Sequence, residues 1–202
     1  MAVSYDVNGN MLDSGVSTYA WNVRDQLATV TGPVNASFQY DPFGRRSRRS
    51  EGSLVTTWLY DGLNFVQETE GVGNVTAVSI TVGVDELLAK LTGTTTVVRL
   101  ADQVGSTVAE TDGSQNTVNT TSYEPYGLTT QIGTASTNRQ QVTGREQDET
   151  GLYYFRARYY DPKMGRFISE DPAGVADGLN LYAYASGNPV NLRSHGFLKC
   201  LT

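Results

Sequence analysis

Between its turns, the chain alternates apolar and polar positions with a period of two, the signature of half-buried β-strands. Val97-Val98-Arg99-Leu100 and Gly105-Ser106-Thr107-Val108-Ala109 read as strands. Asp112-Gly113, just beyond them, is a hairpin signal. Leu152 to Tyr160 reads as one strand, with Leu152, Tyr154, Arg156, Arg158 and Tyr160 on one face and Tyr153, Phe155, Ala157 and Tyr159 on the other. Hardly any segment shows a 3.6-residue apolar period, so helical turns are expected only around Asp85–Lys90 and Asn180–Ala185. The Thr/Asn/Gly-rich stretch from Thr129 to Asn138 is expected to be an exposed loop. It separates a hairpin region (1–128) from a denser, aromatic-rich region (139–192), and residues 193–202 form a tail unrelated in pattern to what precedes it. The fold class is all-β: successive antiparallel hairpins in a curved or spiral sheet, with a short helical turn near the C-terminus.

The alternation is punctuated by an internal repeat. Tyr5-Asp6-Val7-Asn8-Gly9 recurs as Tyr40-Asp41-Pro42-Phe43-Gly44, and more loosely as Tyr60-Asp61-Gly62, Tyr123-Glu124-Pro125-Tyr126-Gly127 and Tyr160-Asp161-Pro162 with Gly165. Trp21-Asn22-Val23-Arg24-Asp25 holds the same place between the first two. The steps from Tyr5 through Trp21 and Tyr40 to Tyr60 are 16, 19 and 20 residues, roughly one hairpin each. In each unit the aromatic ring ends a strand and packs on its neighbour. The Asp opens the turn by accepting a backbone N–H two residues on, and the Gly takes the positive φ.

Composition narrows the function. Of 202 residues, 39% are hydrophobic and 18% charged, with Gly 21 and Tyr 12 against only 6 Pro, which suits strands and tight turns rather than disorder. Lys+Arg 15 against Asp+Glu 21 leaves a net charge of −6, and that acidic balance argues against a nucleic-acid partner. One cysteine, Cys200, allows no internal disulfide, and with the one histidine, His195, it supplies too few ligands for a metal site. No apolar run is long enough for a membrane span, and MAVSYDVNGN has neither the basic nor the apolar part of a signal peptide. No cofactor or metal is expected: Gly151 and Gly174 make no dinucleotide fingerprint.

Ordered blocks then carry a resemblance over about residues 1–191. They are Gly144-Arg145-Glu146, Gly151-Leu152-Tyr153-Tyr154, Arg156-Ala157-Arg158-Tyr159-Tyr160-Asp161-Pro162 and Gly165-Arg166-Phe167-Ile168-Ser169-Glu170-Asp171-Pro172. Asn180-Leu181-Tyr182-Ala183-Tyr184 and Asn188-Pro189-Val190-Asn191 follow; Asp102, Gly105-Ser106 and Tyr123 to Gly127 fit the segment before. With the tyrosine–aspartate units these resemble the Rhs/YD-repeat proteins, and the region from Gly144 resembles their Rhs repeat-associated core domain. The resemblance implies a spiral sheet closing as a hollow shell, a core domain sealing one end, and a variable toxin domain that follows and is stored inside. It also implies a secreted or cell-surface setting, and associates such repeats with carbohydrate or cell-surface binding. A strip of about five hairpins is too short to close by itself and leaves open edges. The chain is therefore expected to be the C-terminal piece of a longer shell or a remnant of one, partnered by the rest of that shell or by a toxin cargo, and aggregation-prone or self-associated when isolated.

The same resemblance implies self-cleavage by paired aspartates in Asp-Pro-x-Gly motifs, since two carboxylates that share a proton can activate water and protonate the leaving group. Asp171-Pro172-Ala173-Gly174 matches the first motif, and Arg158 matches an arginine associated with the site. Where the second aspartate should follow Asn188-Pro189-Val190-Asn191-Leu192, the chain has Ser194, beside His195. The simpler reading makes Asp171 a turn aspartate like Asp41 and Asp161. The expected function is thus a structural shell or scaffold of a toxin-delivery protein. The alternatives are an autoproteolytic aspartic peptidase core and a carbohydrate-binding surface module using Tyr153, Tyr154, Tyr159 and Tyr160, for which core packing is the commoner use. Arg45-Arg46-Ser47-Arg48-Arg49 is read as a solvated strand face rather than a processing site or anionic-surface patch, and Asp148-Glu149 and Asp61 as solvated turns rather than cation ligands.

Overall fold

The structure is a computed structural model that describes residues 3–71, 73–134 and 136–192. It divides into two compact units, residues 1–55 with 148–202 and residues 56–147, so the units run across the blocks drawn from composition. Ser194, His195 and Cys200 lie outside the described residues.

The first unit opens with β1 (Ser4–Tyr5), β2 (Met11–Asp13), β3 (Thr18–Trp21), β4 (Leu27–Thr31), β5 (Ala36–Tyr40) and β6 (Arg46–Glu51), each paired antiparallel with the next in sequence. The turn chemistry read from the repeats is present atom by atom. Asp6 Oδ1 accepts the N–H groups of Asn8 and Asn10 at 2.9 and 2.8 Å, and Asn22 Oδ1 does the same for Arg24 and Gln26 at 2.9 and 3.1 Å. Asp102 repeats it in the second unit, with Val104 and Ser106 at 3.0 and 2.8 Å. Gly44 and Gly105, at φ 82° and 86°, close two of these turns in the left-handed region that glycine tolerates best.

Four of the turns are followed by a bulge. Tyr5 opposes Met11 while Ser4 opposes Asp13; Trp21 opposes Leu27 while Ala20 opposes Thr29; Tyr40 opposes Arg46 while Gln39 opposes Arg48. Ala101 opposes Thr107 while Leu100 opposes Ala109. One extra residue on the outgoing strand thus faces the end of the incoming one, the register expected of a turn that ends on a left-handed residue. The residue six places after the one that ends the incoming strand becomes the deepest in the hairpin: Met11, Leu27 and Arg46 are 0% exposed and Thr107 2%. The aromatic side chain fixes the other end. Trp21 Nε1 donates to the Met11 carbonyl at 2.8 Å, Tyr40 Oη to that of Leu27 at 2.7 Å and Tyr123 Oη to that of Thr107 at 2.6 Å.

The second unit continues with β7 (Leu54–Asp61), β8 (Asn64–Glu70), β9 (Asn74–Gly83), β10 (Glu86–Thr92), β11 (Thr95–Ala101), β12 (Thr107–Thr111), β13 (Thr117–Tyr123) and β14 (Thr129–Gly133), again paired in sequence order. A short 3₁₀ turn (Val142–Gly144) and β15 (Glu146–Gln147) end it. Two expectations fail here. Asp85–Lys90 is not a helical turn: Asp85 sits at φ 65°, and from Glu86 the chain is β10, paired on both sides. Thr129–Asn138 is not wholly loop, because Thr129–Gly133 pairs with β13 as an exposed strand. Cross-strand pairing supplies what their composition does not.

Back in the first unit, β16 (Tyr153–Phe155), β17 (Arg158–Asp161) and β18 (Arg166–Phe167) pack on the opening strands. Leu152–Tyr160 is therefore not one strand. The chain reverses at Arg156, held at φ 59°, so that Tyr154 opposes Tyr159 and Tyr153 opposes Tyr160. Tyr154 and Tyr159 join Met11, Leu27, Val30 and Phe38 in one core, while Phe155, Tyr160, Phe167 and Tyr184 form a second, with ring centroids 4.3–5.9 Å apart. Gly174–Asp177 and Ala185–Gly187 are single 3₁₀ turns near the C-terminus. No helix among the described residues is long and apolar enough to cross a membrane.

The hydrogen bonds made by the turn carboxylates give a direct test. Asp102→Ala should cost about 1–2 kcal/mol in urea unfolding, because two backbone N–H groups lose their acceptor, whereas Asp102→Asn keeps an acceptor and should cost much less. Equal losses for the two variants would show that the acceptor is not what matters.

Candidate functional site

The two residues singled out for chemistry do meet. Arg158 lies on β17 and Asp171 follows β18 at the head of a turn, and Arg158 Nη2 is 2.6 Å from Asp171 Oδ2 with both side chains largely buried. The Arg158 guanidinium lies 3.7 Å from the Phe167 ring centroid and donates to the Leu181 carbonyl at 3.4 Å. Asp171 Oδ1 accepts the N–H of Ala173 at 2.9 Å, and the Asp171 carbonyl accepts that of Gly174 at 2.9 Å. The carboxylate is thus a turn aspartate and an arginine partner at once. Acid–base proteolysis needs a second carboxylate beside it, and the position the resemblance assigns to that group, Ser194, lies outside the described residues.

A second cluster escaped the reading of the sequence. The arginines of 45–49 are not all on a solvated face: Arg46 and Arg49 are buried in the core of the first unit. Strict alternation would send positions 46 and 49 to opposite faces. The bulge between the Tyr40–Arg46 and Gln39–Arg48 pairs instead puts both on the core face, opposite Tyr40 and Phe38. Nor is Asp148 in a solvated turn. Its carboxylate takes Arg46 Nη1 at 2.6 Å and Arg49 Nη1 at 2.7 Å, with both oxygens occupied by guanidinium groups. Arg49 Nε also holds Glu51 at 3.0 Å, and Glu51 Oε1 accepts the N–H of Glu149 at 2.8 Å. The Arg46 guanidinium lies 4.3 Å from the Tyr154 ring centroid, and the Arg46 N–H donates to the Tyr154 hydroxyl at 2.9 Å.

The signal for this cluster was in the repeat. Six and nine residues after the strand-ending aromatic, the second hairpin carries Leu27 and Val30 where the third carries Arg46 and Arg49. Arginine at two core positions demands a buried counter-charge, which a reading of the arginine run by itself could not supply. The four tyrosines at 153, 154, 159 and 160 are all buried, so their rings are core and not an open platform for sugars. No group of three or more His, Cys, Asp or Glu among the described residues could hold a metal ion.

Two measurements follow from this cluster. Asp148→Ala should destabilise the chain by about 3–5 kcal/mol, because two buried guanidinium groups lose their counter-charge. Arg46→Leu combined with Asp148→Ala should cost less than Asp148→Ala alone, since it removes one orphaned cation and installs the residue found at Leu27. A double variant weaker than the single one would contradict the assignment. Burial also raises the Tyr159 phenol above its ordinary range, and raises that of Tyr40, bonded to it at 3.1 Å, well above 10. Both phenols stay neutral when folded, so their contribution is fully present below pH 10 and declines above it as the unfolded-state phenols ionise. Tyrosine absorbance should therefore show a fraction that titrates only when the fold is lost at high pH; a single smooth titration near pH 10 would refute this.

The comparisons with known proteins agree with the architecture. The family model described as teneurin YD-shell matches residues 1–190. The tRNA nuclease WapA of Bacillus subtilis (strain 168) is 36% identical over 204 residues, covering 94% of this chain and 9% of that protein. Toxin subunit YenC1 of Yersinia entomophaga is 41% identical over 95 residues, covering 44% of this chain and 10% of that protein. Among solved structures, TcdB2-TccC3-TEV matches with a TM-score of 0.78 and 26% identity over 94% of this chain and 10% of its own. The chain spans about a tenth of the length of these relatives. Tyrosine-anchored hairpins paired in sequence order, with the model match running nearly end to end, make this chain a member of the Rhs/YD-repeat shell family.

Proposed function

We propose that the chain is a stretch of shell wall from a toxin-delivery protein, one that encloses or presents a C-terminal cargo outside the producing cell. The observation that carries the reading is the repeated hairpin register. Four hairpins place their buried position by the same turn and bulge, so units add one after another, and buried side chains hold the wall together. The sheet likeness to TcdB2-TccC3-TEV and the toxin relatives support it. In this reading the division into a hairpin region (1–128) and a core domain (139–192) is one of role: the first builds wall and the second, with its buried aromatic residues, closes over it. The test is protection. In the protein purified from its native source, a guest segment following the core should resist a protease that digests the same segment when free. Equal digestion rates would contradict enclosure.

The Arg158–Asp171 pair bears on self-cleavage. We read it as a lock on the turn that opens the C-terminal segment, with Ser194 unable to act as the second acid. The purified chain should then keep its full mass of 21.9 kDa, and Asp171→Asn should keep that mass while losing about 1–3 kcal/mol of stability. A break beyond Val190 that Asp171→Asn abolishes would instead establish the aspartic peptidase reading.

A further inference from the structure

The sheet of the second unit is amphipathic in the inverted sense. Its cross-strand rows alternate between two faces. On one face lie the rows Trp58–Glu68–Ala77, Ser79–Lys90–Val97 and Arg99–Glu110–Asn119. Glu68, Lys90, Arg99 and Glu110 are the charged residues of these rows, and Lys90, Arg99 and Glu110 are buried. Lys90 Nζ reaches Glu68 at 2.8 Å and the Thr137 carbonyl at 3.0 Å, and Arg99 bonds Thr107 Oγ1 at 2.6 Å and the Gly105 carbonyl. The 136–147 segment lies over this face, with Gln140 accepting from Thr107 at 2.5 Å.

The other face carries the rows Leu59–Gln67–Val78–Leu91–Thr96, Ile80–Ala89–Val98–Thr111 and Leu100–Ala109–Thr120–Ile132, and none of these residues is charged. Leu59, Val78, Ile80, Val82, Leu100 and Ile132 stand on it with 41–72% of their surface open to solvent. A solvated sheet face ordinarily carries the polar half of the alternation. Here the charges are under cover and the aliphatic side chains outside.

We propose that this uncharged face packs against the same face of a second copy, giving a two-layer sandwich of sheets about 10 Å apart. The six side chains leave on the order of 600 Å² of aliphatic surface open, at the upper end of the largest apolar patch an ordinary monomer exposes. Two copies brought together bury about 1,200 Å², the lower limit for a specific interface. A face without charge has no like-charge repulsion to overcome when it meets itself, and a two-fold arrangement closes the contact without leaving an open patch. The proposal goes beyond the shell reading and does not depend on it.

Sedimentation equilibrium of the whole chain over about 1–100 µM, where interfaces of this size are populated, reads it directly. The wild-type mass should rise from 21.9 kDa toward twice that value. Ile80→Lys with Val82→Lys, both at exposed positions, should leave the circular dichroism spectrum unchanged and weaken association at least about 100-fold, because lysines in the contact lose their water without gaining a partner. Ile132→Lys, on a different strand, carries the same expectation should the first variant fail to fold. Association through open strand edges would survive these substitutions, since the edge backbone is untouched. A folded variant that remains a dimer overturns the proposal, and so does a wild-type chain that stays monomeric throughout.

Discussion

The bulge that follows the turns after Tyr5, Trp21, Tyr40 and Ala101 is the constraint on which the other features depend. A strand's side chains alternate strictly, so a hairpin without it would set position 46 against 49, and 27 against 30, on opposite faces. One extra residue on the outgoing strand brings both members of each pair to the core side. The turn carboxylate and the left-handed residue hold that register in place, and the aromatic hydroxyl or indole N–H clamps it by reaching a carbonyl on the neighbouring hairpin. Local hydrogen bonding and long-range packing thus specify the same pairing, as they do in a sequence that folds to one state.

The bulge explains how a buried ionic cluster can replace an apolar core at one hairpin. Met11 and Leu27 fill their positions with hydrocarbon, while Arg46 fills the equivalent one with a guanidinium packed on Tyr154 and answered by Asp148. Desolvating these charges offsets much of their attraction, so the cluster contributes less net stability than its short distances suggest. What it supplies is selectivity. Only a segment carrying a carboxylate at the position of Asp148, with a backbone N–H ready for Glu51, satisfies the arginines. That ties the strands after residue 148 to β5 and β6 in one arrangement.

Much of this was legible in the residues. The tyrosine–aspartate units fixed the turns, their spacing fixed the hairpins, and the lack of a helical period excluded helices apart from single turns. The readings that failed did so where pairing overrode local pattern. Leu152–Tyr160 alternates as one strand would, but a two-residue reversal at Arg156 folds it back and exchanges the faces beyond it, so that Tyr159 joins Tyr154 and Tyr160 joins Phe155. Glu86–Lys90 and Thr129–Gly133 become strands through pairing with their neighbours. The arginine run was misread because charge was weighed without its place in the repeat; set beside Leu27 and Val30, Arg46 and Arg49 announce a buried partner. Arg158 and Asp171 were found from motif alone, and the geometry joins them at the head of a turn.

The most direct test of the register compares aspartate at two neighbouring positions of β4. Ala28 is the extra residue in its bulge, between the Trp21–Leu27 and Ala20–Thr29 pairs, so Leu27 and Val30 both face the core. Strict alternation from Leu27 would instead put Thr29 inside and Val30 outside. Val30→Asp should therefore lose the cooperative thermal transition or shift it down by more than about 10 °C, as expected when several kcal/mol of packing is lost from a chain of this size, while Thr29→Asp should stay within a few degrees of wild type. The reverse order, with Thr29→Asp the damaging change, would contradict the bulge register.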